Sequence, residues 1–177
     1  MAGVTARTAN WRLFGGSALV IAAVLWLLGY VTPALPLLVP FSFIVLAAGL
    51  VILAFGQSGG NGAVGKDVLG KVALVAYAAG WVILAVVQLG IAPAAFVTLA
   101  AILIVVAGPL SAWIIYKRRI AKGAAGWIMF LPTIVAAIWA LASLAPSISL
   151  PALVVLLVPI LFGVTGALYL LNDRRLG

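Results

Sequence analysis

Residues 114–127 read IIYKRRIAKGAAGW and set four cations, Lys117, Arg118, Arg119 and Lys122, between two long segments without a single charge. A Lys or Arg moved to the centre of a membrane helix costs about 2.5–3.5 kcal/mol on the insertion scale. The cluster therefore belongs outside the hydrocarbon, and the uncharged runs flanking it read as two crossings of a membrane. The rest of the chain supports this reading. Hydrophobic residues make up 67% of it, charged residues only 7%, and the mean hydropathy is +1.40, against roughly 45–50% apolar and about 25% charged residues in soluble domains.

Apolar runs lie at about 13–31, 37–56, 72–90, 94–116, 126–145 and 150–171, each near the roughly 20 residues that a helix needs to span hydrocarbon. The expected fold is an all-α integral membrane bundle of six helices in three hairpins, one domain over residues 1–177. TPALP (32–36), GIAP (90–93) and APSISLP (145–151) carry Pro and read as tight turns, since Pro ends one helix and is tolerated in the first turn of the next. QSGGNGAVGKDVLG (57–70) is Gly-rich and reads as a flexible aqueous loop. The first run exceeds the 7–15 or so apolar residues of a signal peptide and is read as a retained helix.

Charge fixes the expected orientation. Arg7 and Arg12 precede the first run, and Lys66, Asp67 and Lys71 separate the second from the third. The basic cluster separates the fourth from the fifth, and Asp173, Arg174 and Arg175 follow the sixth. With an even number of crossings, all ten cations and both carboxylates fall on one side. An excess of Lys and Arg in short loops marks the cytoplasmic face, so both termini are expected there, in the inner (plasma) membrane.

The three hairpins share a layout, with a Gly about two-thirds along each second helix: Gly49, Gly108 and Gly163, spaced 59 and 55 residues apart. This suggests an internal repeat, although Gly is frequent in any membrane helix. Ala76 with Gly80, Ala136 with Ala140 and Gly163 with Ala167 are each four apart, a spacing that puts two small residues on one helix face and lets backbones approach. Pro109, Pro132 and Pro159 are expected to bend the fourth, fifth and sixth helices. Trp11, Tyr30, Tyr116, Trp127 and Tyr169 lie near span ends and read as a head-group belt, whereas Trp26, Trp81, Trp113 and Trp139 sit deeper, in core or lipid contact.

Over nearly its whole length the chain resembles the HdeD family of small bacterial inner-membrane proteins. The likeness rests on YKRRIAKGAAGW (116–127), on a span continuing through LAPSISLPALVVLLVPILFG (144–163), and on NWRLFGGSALVIAAVLWLLGYVTP (10–33). The resemblance implies six helices in three hairpins and a link to acid stress. It supplies no catalytic or ligand-binding residues to carry over.

The reactive inventory is short: two Asp, no Glu, no His and no Cys. Asp67 and Asp173 lie in separate loops, and the glycines of GQSGGNGAVGK (56–66) lack Walker spacing, so no catalytic, cofactor or metal site is expected. Ion-coupled transport needs an ionisable group within a span, and the spans hold only the neutral Ser17, Ser42, Gln88, Thr98, Ser111, Thr133, Ser143 and Thr165. Gln88, near the outer end of the third helix, reads as reaching interfacial water or capping a neighbouring helix, and is the candidate polar lining residue as the alternative. Lys117, Arg118, Arg119 and Lys122 are the candidate contacts for anionic lipid, as short basic loops beside a bilayer are. Nucleic acid does not fit cations scattered among such loops. The expected function is that of a non-enzymatic membrane protein in acid or envelope stress. A passive channel or carrier for a small neutral solute, and an accessory subunit of a larger complex, are the alternatives. Homo-oligomer formation is left open.

Overall fold

The computed structural model describes residues 5–56, 62–121, 123–145 and 151–171, with side chains from Trp11 onward. The helices are α1 (Thr5–Val31), α2 (Leu38–Phe55), α3 (Val68–Gln88), α4 (Phe96–Arg118), α5 (Ala124–Trp127), α6 (Phe130–Ser143) and α7 (Ala152–Leu171). Taken with α5 and α6 as one segment, Ala124–Ser143, six helices are long and apolar enough to cross a membrane. The chain is an all-α, multi-pass membrane protein.

The turn after α1 follows from its sequence. Pro33 and Pro36 cannot extend a helix, and Thr32 closes the last turn by donating both its N–H, at 2.9 Å, and its hydroxyl to the Leu28 carbonyl. After α3, Gly90 takes a φ of 72° that few other residues adopt readily, and Pro93 follows. The start of α3 lies four residues earlier than hydropathy suggests, because Asp67 caps it: the carboxylate accepts from the Gly70 N–H at 3.0 Å.

The fifth span is broken rather than bent. Pro132 has no N–H to offer the Ile128 carbonyl, and its ring crowds that oxygen. The chain therefore tightens between α5 and α6, with the Leu131 N–H donating to Ile128 at 3.1 Å before the Thr133 N–H resumes the helical pattern with Met129 at 3.3 Å. Helices α4 and α7 run on through Pro109 and Pro159.

Each long helix packs on its neighbours in sequence, and α7 returns to α1, so α1, α2, α3, α4, α6 and α7 form a closed ring. Glycines set the close approaches. Gly15 and Gly16 are adjacent, so they point about 100° apart around α1 and serve different neighbours. A Cβ at Gly15 would strike Leu53 of α2, and one at Gly16 would lie 2.8 Å from the Gly166 carbonyl oxygen of α7. Gly80 lets α3 lie against Ile104 and the Ala100 carbonyl of α4.

The three glycines spaced along the second helices do not meet equivalent neighbours. Gly49 of α2 meets Ala18 of α1, and Gly108 of α4 meets the Tyr77 ring of α3, each within its own hairpin. Gly163 of α7 meets Ala23 of α1 instead of its hairpin partner α6. Closing the ring requires this, because α7 makes its main contact with α1.

Outside the ring, Ile21, Val24, Leu28, Phe41, Ile44, Ile102, Val106, Ile134, Ile138, Ile160 and Val164 are exposed apolar side chains. They recur every three or four residues along their helices, as a lipid-facing stripe does.

Candidate functional site

Two features stand out from this frame: the filled centre of the ring and its charged end. The centre holds Trp26 from α1, Phe43 from α2, Tyr77 and Trp81 from α3, Trp139 from α6 and Phe162 from α7. Trp26 meets Phe43 edge-on at 4.7 Å, Trp81 at 5.6 Å and Trp139 at 5.8 Å. Trp81 stacks on Trp139 at 5.9 Å with an 11° interplanar angle, and meets Tyr77 and Phe162 at 6.0 and 5.9 Å. These separations are those of favourable aromatic pairs. The deep tryptophans expected in core or lipid contact thus divide: Trp26 and Trp81 are buried, Trp139 is half-buried, and Trp113 faces outward.

The buried Ser and Thr hydroxyls of this interior are turned onto their own helices. Ser42 donates to Val39 at 2.6 Å, Ser111 to Gly108 at 2.6 Å, Thr133 to Met129 at 2.9 Å and Thr165 to Leu161 at 2.8 Å. Gln88, the candidate polar lining residue, is exposed at the last position of α3, at the end of the bundle opposite the cations.

The head-group belt needs a correction. Tyr30, Tyr116 and Trp127 are exposed, but Trp11 and Tyr169 are buried and pack edge-to-face at 5.7 Å where α1 meets α7. Their height along the helix is that of a belt, but their azimuth points into the bundle. Hydropathy and position report height and not azimuth.

At the charged end the ionic side chains are tied to the scaffold. Asp67 accepts from Arg118 Nε at 2.8 Å and from a second guanidinium nitrogen, joining the start of α3 to the end of α4. The Gly70 N–H and then Arg118 hold the Asp67 carboxyl below its ordinary value of 3.8. Arg12 donates to the Ile120 carbonyl at 3.2 Å and lies over the Trp11 ring at 5.2 Å. Lys71 lies over the Phe55 ring at 5.6 Å. Lys66, Lys117 and Arg119 are exposed. Lys122, Asp173, Arg174 and Arg175 lie outside the described residues, as does the side chain of Arg7.

Two segments close this end. Within the expected aqueous loop, residues 62–65 are buried, whereas Lys66, Val68 and Leu69 are exposed as expected. Ala63 and Val64 are fully covered, and the Ala63 N–H donates to Leu53 at 2.7 Å. Gly62 is required there because any Cβ would collide with the Leu53 carbonyl. From the other side, Ala121, Ala125, Ile128 and Met129 are buried, and Ile120 reaches Gly65. The Gly-rich composition that reads as a flexible loop instead allows close packing against the end of α2.

The Asp67–Arg118 pair, 51 residues apart in sequence, and the split roles of Gly15 and Gly16 are the parts of this arrangement that the linear sequence leaves unassigned. An Asp immediately before an apolar run is a cap signal that locates Asp67 at the start of α3, though not its partner Arg118. Comparison of the chain with protein-family models, curated proteins and solved structures finds no match.

Proposed function

We propose that this chain is a non-enzymatic protein of the bacterial inner membrane, similar to the HdeD family, that contributes to survival of acid or envelope stress. In this reading the charged end and both termini face the cytoplasm, as the excess of cations there implies. The observation that carries the proposal is the filled aromatic centre, to which five of the seven helices contribute. It opposes a water-lined conduit at that depth. Among the described residues, no Asp, Glu, His, Lys or Arg lies at that depth for coupling or catalysis, because Arg12, Lys71, Lys117 and Arg118 sit near the ends of their spans. A closed bundle whose mass lies almost wholly in the bilayer suits a passive, protective role better than turnover.

Deletion in a native host, followed by survival counts after a low-pH challenge at low and high cell density, tests the reading. A survival defect restored by the intact gene is expected. Unchanged survival at both densities would remove the stress assignment.

A further inference from the structure

A pocket of about 270 Å³ opens at the charged end, lined by Tyr116, Arg119, Ala121, Gly123 and Gly126. Its shape is built by the chain reversal after α4. Arg119 caps that helix in the left-handed region, with φ 52° and ψ 25°, its N–H donating to the Tyr116 carbonyl at 3.2 Å. Gly or Asn usually holds this position, because a larger L-residue is strained there. Strain kept at one residue is a mark of a side chain needed in that place. Gly126 cannot be replaced without a Cβ coming within 2.7 Å of the Ala121 carbonyl oxygen, whereas a Cβ at Gly123 would meet nothing within 4 Å. The pocket thus has a tightly packed floor and an open side.

Its chemistry is that of a phosphate site. A guanidinium offers a fork of donors that matches phosphate oxygens, and a phenol adds another donor. None of the described lining residues is acidic. The neighbouring Arg118 is committed to Asp67, which leaves Arg119 as the cation of the pocket wall among the described residues. One turn back along α4, Trp113 is exposed and lies 6.1 Å from the Tyr116 ring, and Phe130 meets the Tyr116 ring edge-on at 6.1 Å. An aromatic strip therefore leads from the pocket down the outer surface of the bundle.

We propose that this pocket holds the phosphate of an anionic lipid headgroup, gripped by Arg119 and Tyr116, with an acyl chain lying along Trp113. The aromatic strip favours a lipid over free phosphate, which would have no use for it. The proposal deepens the lipid contact expected of the cytoplasmic face. It is tested in micelles, where sidedness plays no part, so its failure is separable from failure of the orientation or of the stress role.

The full chain in a neutral detergent is titrated with short-chain phosphatidylglycerol, with phosphatidylcholine of the same chain length, and with inorganic phosphate, and binding is read by native mass spectrometry. Phosphatidylglycerol is expected to bind in preference to the other two. Arg119→Gly should weaken it about fivefold or more, the factor expected of one cation at a membrane surface, and Arg119→Lys should recover part of the loss. Because Gly suits the left-handed cap, the unfolding midpoint of Arg119→Gly without lipid should hold or rise. Lys117→Gln, beside Tyr116 in sequence but outside the pocket lining, should change binding less. Equal binding by Arg119→Gly and the wild type would overturn the proposal, as would equal binding of phosphatidylcholine. Displacement of the lipid by equimolar inorganic phosphate would overturn the lipid assignment. A lowered midpoint for Arg119→Gly before any lipid is added would make Arg119 a structural residue and overturn it too.

Discussion

Gly16 and Gly166 meet backbone to backbone where α1 crosses α7, each occupying the place where a Cβ on the other would need to sit. This contact closes the ring, joining the first span to the last. Between helices in lipid no hydrophobic term favours association, so close van der Waals packing carries the contact. Gly166→Ala would drive a methyl into the Gly16 carbonyl, a backbone atom that cannot rotate away. Overpacking of this kind costs typically about 1–3 kcal/mol, and the backbone origin of the clash puts the expected loss at the upper end. Unfolding of the purified protein in detergent, followed by circular dichroism, should show a lowered midpoint for Gly166→Ala. Ile21→Ala, on the exposed outer face of α1, should change it much less.

Asp67 gives the bundle a pH dependence with a definite sign. Its carboxyl is held below the ordinary value of 3.8, first by the Gly70 N–H and then by Arg118. A lowered folded-state value means that the charged carboxylate stabilises the folded protein. That stabilisation is fully present above the unfolded value and is lost as pH falls through the folded one. The wild type should therefore keep this link down to about pH 4 and lose it below. Asp67→Asn should be less stable than the wild type at neutral pH, and the gap should narrow as the pH is taken below 3.8. Unfolding midpoints measured across pH 2.5–7 would check it, and a gap that stays constant through that range would show that the carboxylate charge contributes nothing.

What the sequence makes legible here is what hydropathy and charge carry locally. Every span is visible as an apolar run, and the basic segment at 117–122 marks one end of the bundle before any contact is known. Azimuth is not visible in this way: Trp11 and Tyr169 have the position of belt residues but face inward, because helices that are apolar all round give no periodicity from which to read the buried side. Gly62 and Gly65 read as loop formers, yet they serve burial, since the reason for Gly at 62 is a carbonyl of α2 that comes near only in three dimensions. Pro132 and Pro159 look alike in sequence. Pro132 sits in the first turn of α6, just after the break from α5, and Pro159 sits within a continuous α7.

The orientation can be read with engineered thiols, because the natural chain has no cysteine. Lys66→Cys and Lys117→Cys lie at the charged end, and Ala94→Cys lies in the exposed turn between α3 and α4 at the other. In intact cells a membrane-impermeant maleimide should label Ala94→Cys and spare the other two. Inside-out vesicles should give the reverse pattern. Labelling of Lys66→Cys and Lys117→Cys from opposite sides would contradict the even number of crossings between them.

Trp81 has ring neighbours on four sides, touching Trp26, Phe43, Trp139 and Phe162 as well as Tyr77 one turn earlier. Removing it leaves a hole walled by rings that are fixed on separate helices and cannot collapse together. Trp81→Ala should lower stability on the order of 3 kcal/mol, as large-to-small changes in packed cores do. Proteoliposomes report on the conduit question: the wild type should swell no faster than empty vesicles in small neutral solutes. If wild-type vesicles swell faster, the aromatic centre does not seal the bundle.

Tyr77 in the same cluster should respond in the opposite direction. Its hydroxyl is fully buried, and neither it nor the Trp81 indole N–H finds a partner that meets hydrogen-bond geometry among the described residues. The ring itself is well used, because it packs on Gly108 and beside Thr133 and Phe162. Tyr77→Phe keeps that packing and deletes only the unpaired hydroxyl, whose burial costs about 1–3 kcal/mol when no bond compensates it. Some of that cost is also present in the unfolded state in a membrane or micelle, so a gain of about 1 kcal/mol is the expectation. Thermal unfolding of Tyr77→Phe beside Tyr77→Leu separates the two contributions: the first should raise the midpoint and the second, which loses the ring contacts, should lower it. A fall for Tyr77→Phe would mean that the hydroxyl is bonded in the folded protein, with the Trp81 indole N–H one turn away as the simplest partner.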